Sequence, residues 1–144
     1  MRTRALQVRS GHTPQSLAAG LRPADGLLLL ESAGSWAAPG HFSFVAAAPA
    51  LVLCSTGAHG RARHASGRVE QAHGNPWRWL EAWLARWDLG AEIDLPLPAG
   101  FCAGYWGYEL RQFIESKLRP HPVADLPLPD YWLGFYDSLV AFDH

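Results

Sequence analysis

The most chemically suggestive polar groups are Glu31 and Ser32, which end the apolar run Leu27–Ser32, LLLLES. A carboxylate and a hydroxyl closing such a run cost free energy on burial unless something bonds them. Two readings account for the pair. Ser32 bonds nearby backbone at a strand end, or the pair anchors a small molecule at a pocket rim, with Glu31 meeting an ammonium and Ser32 bonding the ligand. Glu109, Glu115, Asp137 and Asp143 are scattered, and no pair has a helical spacing that forces shared acid–base work. No serine sits in a nucleophile elbow, and neither Cys54 nor Cys102 has an adjoining histidine to activate it. His59, His64 and His73 lack the spacing of a finger or a helical metal site, so they read as residues of a solvated hairpin.

A second stretch, Gly100–Glu115 (GFCAGYWGYELRQFIE), sets Gly100, Gly104 and Gly107 among Phe101, Tyr105, Trp106 and Tyr108. Glycine inside an apolar strand marks a bulge, or a place where another backbone or a ligand comes close. The run then changes at Glu109 to a helical pattern carrying Leu110, Phe113 and Ile114. A packed strand–helix corner and a binding surface both fit. A nucleotide loop does not, because the spacing is not GxGxxG and no Gly-Lys-Ser/Thr follows.

The remaining elements would position these stretches. Residues 4–9 suit a short edge strand, and Thr13 with Pro14 starts a helix running to about Gly20. Leu27–Ser32 has the length of a strand buried on both faces. Gly34–Gly40 is a loop; His41–Ala46 and Leu51–Ser55 are strands, with Phe42 and Phe44 on one side of the first. Ser66-Gly67 is a hairpin turn between polar strands. Asn75 caps and Pro76 opens the clearest helix, 76–88, whose apolar stripe is Trp77, Leu80, Trp83, Leu84 and Trp87. Trp79 lies off that stripe, where it would cover a loop or a partner. Pro-rich connections follow at Leu95–Pro98 and Arg119–Pro129, and Tyr131–Phe142 reads as one long strand with apolar residues on both faces. The expected fold is α+β: a largely antiparallel sheet or sandwich with helices packed outside.

A length of 144 residues suits one domain, and 49% apolar residues supply a core. Twelve basic against 13 acidic residues give no footprint for nucleic acid or an anionic membrane. The apolar runs are too short to span a bilayer, and the N-terminus lacks the core of a secretory signal. The two cysteines read as buried reduced thiols. A cytoplasmic protein is the expectation.

Taken in order, LLLLES (27–32), GHFSFVAAAP (40–49), GFCAGYWGYEL (100–110) and LPLPDYWLGFYDSLVAFDH (126–144) resemble the N-terminal region of component I of anthranilate synthase and aminodeoxychorismate synthase. The tryptophan-rich helix replaces that family's usual Asp-Pro helix. The ending with Gly134-Phe135-Tyr136-Asp137 is more similar to the aminodeoxychorismate branch, which serves folate, than to the anthranilate branch, which serves tryptophan synthesis.

The resemblance implies an N-terminal scaffold, residues 1–144, for a C-terminal catalytic domain that aminates chorismate with ammonia from a glutamine amidotransferase subunit. Magnesium would belong to that catalytic domain, so this chain is expected to hold no cofactor or metal, to be inactive alone, and to end at a cut at His144. It also implies a tryptophan pocket, which is a feedback site in the anthranilate branch. By the family motifs its residues would be Leu30, Glu31, Ser32, His41, Phe42, Ser43, Gly104 and Tyr105. His41 stands where the family commonly has arginine, which removes a permanent charge. Without the catalytic domain, an apolar face should be exposed around the glycine–aromatic strand and the last strand.

Overall fold

A computed structural model describes residues 4–32, 41–86, 97, 101–115, 117–118 and 126–144. In chain order these form α1 (Pro14–Gly20), β1 (Leu28–Leu30), β2 (Phe42–Ala46), β3 (Leu51–Thr56), β4 (His59–His64), β5 (Val69–His73), α2 (Pro76–Leu84), β6 (Phe101–Trp106), a 3-10 helix (Tyr108–Phe113), β7 (Tyr131–Tyr136) and β8 (Val140–Asp143). The fold is α+β, and every pairing with a defined register is antiparallel. No helix among these residues is long and apolar enough to cross a membrane. The loop at 34–40, Trp87 and Gly90 at the far end of the tryptophan helix, Gly100, and most of the two Pro-rich connections lie outside the described residues.

The chain divides into two compact units. The first comprises Met1–Pro49, Leu89–Phe101 and Tyr136–His144. Its helix begins as the local sequence dictates. Thr13 Oγ1 accepts the Ser16 N–H, Ser16 Oγ accepts the Thr13 N–H, and Pro14 occupies the first turn, where no N–H is needed. Its sheet has the order β1-β2-β8, with Leu29 opposite Val45 and Ser43 opposite Phe142. Two expectations fail here. Residues 4–9 form no strand and are exposed. β1 is an edge strand with half-buried leucines and an exposed Leu30, not a strand buried on both faces. Aliphatic content alone cannot distinguish an edge from a centre, because what covers the strand lies elsewhere in the chain. Tyr136 ties the unit together, its ring stacked on Phe101 at 5.2 Å and its hydroxyl donating to Gly26 O at 2.7 Å.

The second unit, Ala50–Asp88 and Cys102–Phe135, holds the larger sheet, in the order β5-β4-β3-β7-β6. Gly57 and Gly67 turn its two hairpins with φ of 55° and 86°, a region open to glycine at little cost. Leu53 lies opposite both Ala62 and Leu133, and all three are fully buried. Leu51, Tyr131, Phe135, Leu80, Trp83 and Leu110 complete this core, with Trp77, Trp79, Cys102 and Phe113 packed at its margin. Burying each large side chain contributes roughly 1.5–3 kcal/mol, which fixes α2 and the 3-10 helix against one sheet face.

The tryptophan helix starts where expected, Asn75 Oδ1 accepting the Trp77 N–H at 2.9 Å. Leu84, however, is exposed and outside the core stripe. Trp79 covers the Gly60 backbone, where an added Cβ would stand 2.8 Å from the indole ring. The segment after Gly107 is a 3-10 helix, not an α-helix. Only Leu110 is buried along it, so no continuous apolar stripe holds a longer α-helix in place. The expected strand 131–142 is two strands. Asp137 and Ser138, joined by their own side-chain hydrogen bond, interrupt it; β7 joins the larger sheet and β8 the smaller.

Candidate functional site

Leu30, Glu31, Ser32, His41, Phe42 and Ser43 meet where β1 runs out beside β2. The alternation of β2 leaves Phe42 and Phe44 half-buried, their ring centroids 6.2 Å apart, and buries Ser43 and Val45 on the opposite face. A buried serine needs partners. Ser43 Oγ accepts the Ser32 N–H at 3.1 Å and lies 2.7 Å from His144 Nε2. The Ser32 hydroxyl donates to Phe42 O at 2.7 Å, and the His144 N–H donates to His41 O at 3.0 Å. The backbone reading of Ser32 therefore holds, while its oxygen keeps lone pairs able to accept.

Glu31 is exposed, and the Gln15 side-chain amide donates to its Oε1. Its Oε2 has no partner among the described residues. The carboxylate thus faces water and α1 rather than a dry interior. His41 is exposed, and its carbonyl is what the strand pairing uses. His144 and Gln15 were not legible as partners in the sequence. Each contact joins distant segments, with no motif to announce it.

Gly104 and Tyr105 belong to the second unit, and packing accounts for both. A Cβ on Gly104 would stand 1.9 Å from Trp132 O and 3.0 Å from Leu133 Cα. What presses on the glycine–aromatic strand is the backbone of β7. Gly107 repeats this against Asp130, to whose carbonyl its N–H donates at 2.6 Å. The Tyr105 hydroxyl donates to Pro129 O at 3.2 Å. Tyr105, Trp106 and Tyr108 nevertheless show 38%, 50% and 75% of their surface to solvent, a run of exposed rings on an edge strand and its continuation.

Among the described residues, no three His, Cys, Asp or Glu side chains are grouped to hold a metal ion. Cys54 and Cys102 are free, half-buried thiols, and burial pushes both above the usual thiol range. Arg61 and Arg63 oppose that rise at Cys54. Neither is an activated nucleophile.

No family model matches the chain. Anthranilate synthase alpha subunit 1, chloroplastic, of Oryza sativa subsp. indica is 31% identical over 113 residues, covering 73% of this chain and 19% of the relative. Anthranilate synthase alpha subunit 2, chloroplastic, of Arabidopsis thaliana is 31% identical over 117 residues. Anthranilate synthase component 1 of Acinetobacter calcoaceticus is 25% identical over 137 residues, covering 92% of this chain and 28% of the relative. The chain spans between 18% and 28% of the length of these relatives. It is similar to the N-terminal region of the anthranilate synthase component I family of chorismate-utilising enzymes.

Proposed function

We propose that this chain is the N-terminal, non-catalytic part of an anthranilate synthase component I-like enzyme and holds an amino acid, tryptophan, where β1 meets β2. The observation that carries the reading is the similarity to proteins named anthranilate synthase over as much as 92% of the chain. The local chemistry supports the ligand class. Among the described residues, the Ser32 oxygen and Glu31 Oε2 are both open to accept from an ammonium, and the half-buried Phe42 and Phe44 rings offer apolar surface beside them. Calorimetry with L-tryptophan should give saturable heat that Ser32→Ala and Glu31→Gln each reduce. No heat at millimolar tryptophan would overturn the ligand assignment.

The partners follow the same reading. A C-terminal catalytic domain would supply the chorismate site and the magnesium ligands, and a glutamine amidotransferase subunit the ammonia. The exposed Tyr105, Trp106 and Tyr108 suit an interface with such a domain. The chain alone, in the cytoplasm or in a tube, should consume no chorismate with ammonia and magnesium; clear turnover would overturn its non-catalytic role. The Gly134-Phe135-Tyr136-Asp137 segment favours aminodeoxychorismate synthase as the second reading. Identifying the aminated product after joining the chain to a catalytic domain would separate the two.

A further inference from the structure

The second unit carries a groove of about 350 Å3 between α2 and strands β4 and β5, unconnected with any residue of the tryptophan reading. Its floor is made of small side chains, Ala58, Gly60, Ala72 and Ala82, so the space is open because the residues are small. One wall is the Trp79 indole. That ring is held from beneath by the Gly60 backbone and edge-on by Trp83, with ring centroids 6.4 Å apart, so it forms a fixed flat surface. Gly74, at φ 138° and with its N–H on Ala58 O at 2.9 Å, turns the chain from β5 into α2 and closes one end.

The charged side chain lining the groove is a cation. Arg78 lines it and has no ion-pair partner among the described residues. His73 lines it too, its ring edge-on to His59 at 4.8 Å. No carboxylate lines it. An unpaired guanidinium beside a fixed aromatic wall is matched by a planar acid, whose two oxygens take paired N–H donors while its ring lies along the indole. The volume stands at the small end of ligand sites, which limits the occupant to about one ring.

We propose that this groove binds a small aromatic carboxylate of one ring, the carboxylate on Arg78 and the ring against Trp79. The site is independent of the tryptophan reading, and the two stand or fall separately.

The test uses benzoate as probe and benzamide as its uncharged isostere, followed by 1H–15N correlation spectra of the whole chain. Benzoate should shift the Gly60 and Gly74 amides and the Trp79 indole N–H in a saturable way. Loss of a charge-assisted pair corresponds to about tenfold or more in affinity, so benzamide should bind at least that much more weakly. Arg78→Gln should weaken benzoate by a similar factor, and Arg78→Lys should restore part of it. Arg78 is exposed, so neither variant disturbs the core. Absence of shifts at these three groups with millimolar benzoate overturns the proposal. So does equal binding of benzamide, or benzoate binding unchanged in Arg78→Gln.

Discussion

The Ser43 hydroxyl lies 2.7 Å from Nε2 of His144, a residue 101 positions further along the chain. The same oxygen accepts the Ser32 N–H at 3.1 Å. The hydroxyl donates to Nε2 or accepts from it according to the imidazole tautomer, so either form of the ring keeps the contact. One buried serine thus joins the end of β1, the middle of β2 and the residue after β8.

Replacing Ser43 by alanine strands the Ser32 N–H and the His144 ring together. Each of the two hydrogen bonds lost contributes about 0.5–1.5 kcal/mol, so Ser43→Ala should lower stability in urea unfolding by about 1–3 kcal/mol. Ser32→Ala removes only a half-buried hydroxyl and should cost about 1 kcal/mol or less. Equal costs for the two variants would show that Ser43 is not the hub.

What could be read in the sequence is what is local. Thr13-Pro14, Asn75-Pro76 and Ser66-Gly67 each fix a helix start or a turn through atoms a few residues apart, and each appears where the sequence places it. Leu27–Leu30 misleads because four aliphatic residues describe an edge strand and a central one equally well. Tyr131–Phe142 misleads because residues apolar on both faces lie on either side of Asp137-Ser138 while the chain changes sheets there. At the candidate site, the Leu-Glu-Ser and Ser-Phe segments were legible as a pair. The His144 and Gln15 contacts were not, because only folding brings those segments beside them.

Gly104 and Gly107 should differ in their tolerance of a methyl group. At Gly104 the Cβ would meet Trp132 O at 1.9 Å, and backbone cannot swing aside as a side chain does. At Gly107 the closest approach is 2.9 Å, to Asp130 O. Gly104→Ala should cost about 3 kcal/mol or more, and Gly107→Ala about 1–2 kcal/mol. Denaturant midpoints for the two variants check the order; a reversed order would mean that β6 does not lie this close to β7.

Alkali should unfold the protein through its buried phenols. Burial, and then the nearby charge of Asp25, push the Tyr136 hydroxyl up to about 12, and burial also raises Tyr131. Both rises mean that the folded state holds the neutral phenol. The associated stability is complete below about pH 10, where an unfolded phenol ionises, and is lost as pH climbs towards the folded value. Urea midpoints should therefore fall steadily above about pH 10. Tyr136→Phe should be less stable at neutral pH, lacking the bond to Gly26 O, yet show a shallower alkaline fall. A variant with the same alkaline slope as the parent would remove Tyr136 from this account.

The cysteines allow a different check, of burial rather than of bonding. Cys54 and Cys102 are half-buried, and burial raises both thiols, so the thiolate that attacks an alkylating agent is scarcer than in a free cysteine at neutral pH. Iodoacetamide, followed by peptide mass mapping, should label both at least about tenfold more slowly in the native protein than in urea. At Cys54 the charges of Arg61, directly opposite in the register, and of Arg63 partly offset burial. Arg61→Ala should therefore slow Cys54 further and leave Cys102 unchanged. If labelling of Cys54 instead speeds up, Arg61 protects the thiol mainly by covering it, and access rather than charge sets its reactivity.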